Sequence, residues 1–256
     1  WRLIATAASF TLFGIGGVML RVLVFPVLSL LPGDAAAHQR RARQVVSWNF
    51  RTFVKFMHRS CVLTYEVENA ERLGRPGQMI IANHPSLIDV VFLIGLVRQA
   101  NCVVKQSLFD NPFTRGPVSE AQYIGNSGSM DMLDAAVDSL QQGQTLVIFP
   151  EGTRTPPGQA PAFHRGAAAI ALRGAKMVTP VTIRVSPTTL TKNEPWYRIP
   201  SRRVHLTFKV GADIDPQVFS ALGPAPKASR LLNDYLHDYF LKELAADERA
   251  TARPQP

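Results

Sequence analysis

The sequence predicts an α/β fold in which a mostly parallel, mixed sheet is flanked by helices, with membrane-associated helices at the N-terminus. Two observations carry this prediction. Short apolar runs typical of buried strands alternate with segments of helical spacing between residues 61 and 244, and an uncharged apolar run of helical length precedes them. With 256 residues, 46% of them hydrophobic, the chain is long enough to bury one sizeable core.

The N-terminal apolar run extends from Leu3 to Leu20, and its eighteen residues include no charged side chain. As a helix it would be about 27 Å long, close to the thickness of a hydrocarbon core. A second run, "VLVFPVLSLLP" (22–32), follows Arg21 and contains Pro26. The segment is interpreted either as a membrane-spanning helix or as a helical hairpin that enters one leaflet. A signal peptide is the competing interpretation, and no convincing small-residue cleavage site follows to support it.

Positive charge is concentrated beside this apolar run. Residues 1–60 hold eight Lys and Arg against one Asp, so they carry seven of the nine net positive charges of the chain. Residues 38–60 combine apolar side chains at helical spacing with basic ones, which predicts a basic amphipathic helix. Such a helix packs its apolar stripe either on the core or on an anionic membrane, and the neighbouring apolar run favours the membrane. Nucleic acid is not expected as a partner, because a nucleic-acid binder would spread basic groups over its recognition fold.

The remaining elements indicate a single α/β domain over residues 61–244. Strands are predicted at 78–82, 102–105, 145–149, 177–185 and 204–210, and helices at 86–97, 131–142, 165–173 and 229–244. Residues 1–60 are assigned to the membrane-associated helices and residues 245–256 to a flexible tail. Cys61 and Cys102 each lie beside aliphatic residues, and both are expected to be buried thiols.

The first polar constellation is "NHPSLID" (83–89), directly after the strand at 78–82. Pro85 is favoured at the first helical position, which predicts that His84 is the N-cap of the following helix. Asp89 would lie one turn into that helix, with its side chain tilted back toward His84. A histidine oriented by a carboxylate is a general base, and the attacking group is then either Ser86 or a hydroxyl of the substrate.

The second constellation is "FPEGTR" (149–154), which follows the strand at 145–149 with an abrupt turn. Because functional groups collect where strands end in open α/β sheets, this turn and His84 are expected at the same sheet edge. Glu151 and Arg154 could form only a surface ion pair, but a guanidinium also suits a bidentate grip on phosphate. A base beside an anion clamp predicts an anionic or phosphorylated substrate.

Together, "NHPSLID" and "FPEGTR" resemble the lysophospholipid acyltransferase family, whose best-known members are 1-acyl-glycerol-3-phosphate acyltransferases. Lys105 after "VV", "FHRGAA" (163–168) and "VTPVTI" (178–183) extend the resemblance over roughly Gln78 to Arg184. The resemblance implies transfer of a fatty acyl group from acyl-CoA or acyl-carrier protein to the hydroxyl of a lysolipid, as in phospholipid biosynthesis. It implies no metal or organic cofactor.

The resemblance also implies roles for individual residues. His84 would deprotonate the acceptor hydroxyl, and Asp89 would orient His84. The residues implied to bind the substrate, chiefly the acceptor's phosphate, are Glu151, Gly152, Thr153, Arg154 and Lys105.

One stretch departs from the family pattern. The family usually places an Arg after a Gly and a hydrophobic pair between the main motifs, whereas "AQYIGNSGSM" (121–130) has Gly125 and Asn126 there. Asparagine can donate a hydrogen bond to phosphate but cannot neutralise its charge. The departure predicts an acceptor less negative than lysophosphatidate, unless Arg115 supplies the missing charge. The alternative is a misalignment of this Gly- and Ser-rich loop.

Two other classes of function compete with acyl transfer to a lysolipid. One is a lipid hydrolase or transacylase that uses Ser86 as a nucleophile. The other is a non-catalytic adaptor at a membrane surface, a function that would not require the residues of "NHPSLID" or "FPEGTR". Since the thioester donors are cytosolic and the basic residues lie beside the apolar run, the expected location is the cytoplasmic face of the inner or plasma membrane.

Overall fold

The structure, a computed structural model, describes the backbone of residues 1–252 and the side chains of residues 1–246. Within these residues the strands are β1 (Leu63–Glu68), β2 (Gln78–Ala82), β3 (Asn101–Lys105), β4 (Ile124–Asn126), β5 (Leu146–Ile148), β6 (Met177–Ser186) and β7 (Val204–Val210). The α-helices are α1 (Arg2–Met19), α2 (Phe25–Ser29), α3 (Ala35–Arg59), α4 (Asp89–Leu96), α5 (Arg115–Glu120), α6 (Met130–Gln141), α7 (Gly166–Gly174), α8 (Gln217–Ser220) and α9 (Ala225–Ala252). A π-helical turn, Leu20–Val24, joins α1 to α2.

All seven strands form one sheet in the order β1-β7-β6-β2-β5-β3-β4. Every neighbouring pair is parallel except β6 and β7, which are antiparallel. The predicted mostly parallel mixed sheet is therefore confirmed. The four strands β2, β5, β3 and β4 run in the same direction side by side, so the segments that follow them leave the sheet at one edge.

The sheet is covered by helices on both faces, and β2 shows why. Its side chains alternate between two hydrophobic clusters: Ile80 and Ala82 belong to the cluster under α3 and α4, and Met79 and Ile81 to the cluster under α6, α7 and α9. All five residues of β2 are buried, as expected for a central parallel strand.

The N-terminal apolar segment is one helix from Arg2 to Ser29, called here the N-terminal helix. The alternative in which its two apolar runs form a hairpin with each other was wrong. Pro26 lacks a backbone N–H, and the π-helical turn Leu20–Val24 lies directly before it, so the chain passes the proline without leaving the helix. By length and composition the helix could cross a membrane.

The predicted basic amphipathic helix is α3, capped at its start by Asp34, whose Oδ1 accepts the Ala37 N–H at 2.7 Å. Its apolar stripe, which includes Val46, Phe50 and Met57, is buried in the core. The expectation that this stripe faces the membrane was therefore wrong. The exposed apolar surface lies instead on the N-terminal helix.

Three further boundaries differ from the predictions. The helix predicted to begin at residue 86 begins instead at Asp89, the last residue of "NHPSLID". The closing helix α9 continues to Ala252, so residues 245–252 of the predicted tail are helical, and residues 253–256 lie outside the described residues. Cys102 is a buried thiol as predicted, but Cys61 is exposed, because it occupies a turn with φ of 61° just after α3.

Candidate active site

Both sequence constellations lie at the edge of the sheet where β2 and β5 end. These two strands are parallel neighbours, with Ile81 opposite Ile148, so the turns that follow them emerge side by side. The turn after β2 is fastened by Asn83, whose side-chain amide donates to the Ile183 carbonyl at 2.9 Å and accepts the Ile183 N–H at 2.6 Å. Asn83 thus binds β6 as a strand residue would, and the chain is released from the sheet at His84.

His84 and Asp89 are in contact, as the sequence predicted. Nδ1 of His84 lies 2.9 Å from Oδ2 of Asp89, and the Asp89 side chain is completely buried. With the Nδ1–H donated to the carboxylate, the neutral imidazole carries its lone pair on Nε2. No other described residue is hydrogen-bonded to Nε2, and 15% of the His84 side chain is exposed. Nε2 is therefore the atom available to take a proton from a ligand.

The backbone conformation that brings His84 and Asp89 together differs from the predicted one. His84 is not a helix cap, because residues 85–88 form a turn before α4 begins. Within that turn Asp89 accepts the Ser86 backbone N–H at 2.7 Å and also the Ser86 hydroxyl. Ser86 is completely buried. The hydrogen bonds from Ser86 thus fix the Asp89 carboxylate, which in turn orients the His84 ring.

Glu151 joins the two turns beneath the surface. Its Oε1 accepts the His84 backbone N–H at 2.9 Å, and its Oε2 accepts the hydroxyl of Thr155. Thr155 N–H in turn donates to the His84 carbonyl at 3.1 Å. Burial raises the pKa of the Glu151 carboxyl, against the lowering effect of these hydrogen bonds. Since Glu151 is only 4% exposed and both its oxygens are engaged, it fixes the backbone on which His84 stands.

Phe149 and Arg154 complete the support around His84. The rings of His84 and Phe149 are 4.4 Å apart at an interplanar angle of 33°, so Phe149 backs the imidazole. Arg154 Nη1 donates to the carbonyls of Leu190 and Thr191 at 2.8 and 2.9 Å. Because the Leu87 N–H also donates to the Leu190 carbonyl, Arg154 holds the loop after β6 against the turn at 85–88.

Polar groups lie at the ends of β3 and β4, next to the turn that follows β5. Lys105 and Asn126 are paired in register as the last residues of these strands. Gly152 has φ of +65°, and a Cβ there would lie 3.4 Å from Cδ2 of His164 and 3.7 Å from Nδ2 of Asn126. The turn after β5 therefore faces Asn126 and His164. Sequence reasoning placed His164 only within the resembling segment "FHRGAA".

The other predicted site residues have the following positions. Thr153 is exposed at the tip of the turn after β5. Arg115 is exposed at the start of α5, beside the N-terminal helix: a Cβ on Gly116 would lie 2.6 Å from Cβ of Arg21. Of the two predicted cations, Lys105 is the one whose backbone is the register partner of Asn126. The described residues include no group of three or more His, Cys, Asp or Glu arranged to hold a metal ion.

Comparisons with known proteins extend these observations. Residues 64–184 match a family model described as Acyltransferase. A 1-acyl-sn-glycerol-3-phosphate acyltransferase of Pseudomonas aeruginosa is 28% identical over 165 residues, which cover 62% of this chain and 64% of that protein. A 1-acyl-sn-glycerol-3-phosphate acyltransferase of Helicobacter pylori is 29% identical over 134 residues, covering 48% of this chain and 56% of that protein. The matches thus span less than two thirds of either relative.

A solved structure has the same fold over its full length. The crystal structure of PlsC from Thermotoga maritima, a 1-acyl-sn-glycerophosphate acyltransferase, superimposes with a TM-score of 0.69 at 22% identity and covers 100% of both chains. The likeness includes the N-terminal helix and α3.

Proposed function

Because residues 64–184 match the Acyltransferase family model, we propose that the chain transfers a fatty acyl group from a thioester to the hydroxyl of a lysolipid. The observation that carries the proposal is the His84–Asp89 pair, which leaves Nε2 free at the sheet edge. The donor is acyl-CoA or acyl-carrier protein. The names of the relatives support a lysophosphatidate-like acceptor and a place in phospholipid biosynthesis.

The transfer proceeds by direct attack of the acceptor on the donor. The acceptor oxygen attacks the thioester carbonyl carbon while Nε2 of His84 takes its proton. Asp89 stabilises the resulting imidazolium through Nδ1–H. The C–S bond then breaks as the tetrahedral intermediate collapses to an ester, and the imidazolium returns the proton to the departing thiolate. Each proton and electron pair is accounted for by donor, acceptor and His84.

The position of Ser86 argues against a hydrolase with a serine nucleophile. Its side chain is completely buried, and its hydroxyl is donated to Asp89. A nucleophilic serine would instead donate its proton to the histidine that activates it. Ser86 accordingly has a positioning role.

The acceptor's phosphate is held at the mouth formed by Gly152, Asn126, His164 and Lys105. Lys105 supplies the positive charge beside Asn126, and the open backbone of Gly152 lets the phosphate approach the turn. This arrangement makes lysophosphatidate the first acceptor to test, and the less negative acceptor suggested by Asn126 is the alternative. Thr153 and the Nε and Nη2 groups of Arg154, which have no hydrogen bond to another described residue, are further donors on the same turn.

The protein sits on the cytoplasmic face of a membrane with the N-terminal helix in the plane of one leaflet. The helix is docked on the domain at both ends: Trp1 Nε1 donates to the Ser60 carbonyl at 3.0 Å, and Phe25 is buried. Between them, the ring of Phe13 lies 5.6 Å from Phe50 and 5.0 Å from Phe53. A helix crossing a bilayer would have to give up these contacts.

The opposite face of the helix supplies the apolar surface that would enter the leaflet. Ile4, Leu12, Ile15, Met19 and Val22 recur at helical spacing, and each is about half-exposed or more. Trp196, next to Phe10 with ring centroids 6.2 Å apart, and Tyr197 continue this surface with the side chains that favour a membrane interface.

The test is an acceptor and donor panel with the full chain in detergent. Acyl-CoA and acyl-carrier protein are each offered with lysophosphatidate, lysophosphatidylglycerol and lysophosphatidylcholine, and products are identified by mass spectrometry. The proposal predicts an acylated lysolipid in the parent and none in His84→Ala. Release of free fatty acid without an acylated lipid would show a hydrolase instead.

A further inference from the structure

A second polar cleft lies at the opposite edge of the sheet from His84. It has a volume of about 740 Å³ and is formed by the segments that precede β2, β3 and β5, together with the first turns of α3. His84 follows the other end of β2, so the five residues of that strand, roughly 16 Å, separate the two sites. The acyl transfer described above uses none of the residues that line this cleft.

The cleft is cationic. Arg40, Arg43 and Arg98 line it, and the lining residues, all of them within the described part of the chain, include no Asp or Glu. Arg40 and Arg43 project from adjacent turns of α3, and Arg98 lies on the segment before β3. Arg40 and Arg98 are exposed and have no hydrogen bond or ion pair to another described residue.

Arg43 is the unusual member of the group, because it is buried without an anion. It is 3% exposed; its Nε donates to the Ala121 carbonyl at 2.9 Å, and its Nη1 donates to Oε1 of Gln144 at 2.7 Å. Its Nη2 is buried and lacks a hydrogen-bond acceptor among the described residues. Burial lowers the pKa of Arg43 to about 10. Buried cations are usually paired with an anion, and Arg43 has no such partner among the described residues.

We infer that this cleft binds the phosphate group of an anionic ligand, with Arg43 at its inner wall and Arg40 and Arg98 at its mouth. A phosphate group would supply the negative charge that the three guanidinium groups lack, and the exposed Arg40 and Arg98 are the ones within reach of a ligand at the mouth. Gln144 and the neighbouring Gln99 add amide donors. The site is separate from the mouth proposed to hold the acceptor of the acyl transfer.

The phosphate could belong to a membrane lipid or to a soluble ester. The cleft includes the first turns of α3, and only the short turn 30–34 separates α3 from the end of the N-terminal helix, where Leu30 is 83% exposed. If that helix lies in a leaflet, as proposed above, the mouth of the cleft is near the lipid headgroups. The two sources share the same recognition chemistry and are separated by the experiment.

The experiment compares the full chain with two double variants of equal net charge. Arg40→Gln with Arg98→Gln removes the exposed arginines of the cleft, and Arg59→Gln with Arg202→Gln removes two exposed arginines elsewhere. Binding of glycerol 3-phosphate is measured by titration calorimetry at constant ionic strength. Flotation compares vesicles of phosphatidylcholine with and without phosphatidate.

Saturable binding of glycerol 3-phosphate that is weakened at least tenfold only in the cleft variant would identify a soluble ligand. Absence of that binding, with a preference for phosphatidate vesicles lost only in the cleft variant, would identify a lipid headgroup. If the two double variants have the same affinity for glycerol 3-phosphate and the same vesicle preference, the inference is overturned. Because the readouts are binding, they remain interpretable whether or not acyl transfer is observed, and the cleft variant should retain the acyl-transfer rate of the parent within about twofold.

Discussion

Replacing Asp89 by Asn should leave a folded protein with very slow acyl transfer. The Asn side chain has the shape of Asp and can keep the three contacts now made by the carboxylate: the Ser86 N–H, the Ser86 hydroxyl, which can turn to accept, and Nδ1–H of His84. What the substitution removes is the negative charge facing the imidazolium that forms during transfer.

The magnitude follows from the geometry. With Nδ1 and Oδ2 2.9 Å apart, the two charge centres are about 4 Å apart, which corresponds to about 4 kcal/mol at an effective dielectric constant of about 20. Losing that stabilisation in the transition state slows the chemical step by about 10³-fold. The acyl-transfer assay should therefore show kcat lowered by this factor, while thermal unfolding followed by circular dichroism changes little.

Ser86→Ala is the matched comparison, because it removes one neutral donor to the same carboxylate. A hydrogen bond to a charged group contributes about 1.5–3 kcal/mol to stability. Because the carboxylate is charged both before and during transfer, only a small part of this is specific to the transition state, and the rate should fall by about tenfold at most. A folded Asp89→Asn protein that retains more than about a tenth of the parent rate would exclude charge stabilisation by Asp89, and so would a larger loss of rate in Ser86→Ala.

Three other changes test separate parts of the account. Glu151→Gln removes a carboxyl whose pKa is raised by burial, so the stability that its protonated form contributes at low pH is lost in the parent as pH rises above the ordinary carboxyl pKa of about 4.3. The thermal midpoint of the variant minus that of the parent should therefore increase with pH, and a constant difference would contradict the burial argument. Asn126→Arg should raise the ratio of kcat/KM for lysophosphatidate to that for lysophosphatidylcholine about fivefold, as expected for one added charge at the acceptor's phosphate. An unchanged ratio would show that residue 126 does not contact that phosphate. Leu12→Glu with Val22→Glu should release the chain from vesicles in flotation, whereas Leu222→Glu, at a comparably exposed position away from the helix, should not; retention of the double variant would place the membrane contact elsewhere.

Deletion of residues 1–33 would be a less informative test of membrane binding than these surface substitutions. In the structure Phe13 of that segment packs on Phe50 and Phe53 of α3. Deletion would uncover this part of the core, so loss of membrane binding could not be separated from loss of folding.

The central strands and the His84–Asp89 contact could be predicted because both depend on nearby residues. β2 is a continuous apolar run, and the two site residues are five positions apart. The local conformation could not be predicted, because the propensity of Pro85 to begin a helix is overridden by the Ser86 hydrogen bonds to Asp89. The spacing of His84 and Asp89 thus predicted their contact correctly, whereas the conformation predicted for the residues between them was wrong.

Asn83 was missed, and Glu151 was assigned to the substrate rather than to the His84 backbone, because the partners of both residues are distant in sequence. Asn83 pairs with Ile183, one hundred residues away, and Glu151 binds the backbone of His84 rather than a side chain. No periodicity or spacing reports such contacts. The same holds for β4, whose three residues have no strand signal of their own and are fixed by pairing with Lys105 and its neighbours in β3.

The central claim is direct acyl transfer with His84 as the base, and a single-turnover experiment tests it most directly. Excess enzyme is mixed with radiolabelled acyl-CoA and lysophosphatidate, quenched on the millisecond to second scale, and separated into lipid product and acylated protein. If His84 is the base of a direct transfer, label passes into the lipid without appearing on the protein, and His84→Ala slows this step by at least about 10²-fold. Label on the protein that precedes the lipid product, or a His84→Ala rate above about a tenth of the parent's, would contradict that mechanism.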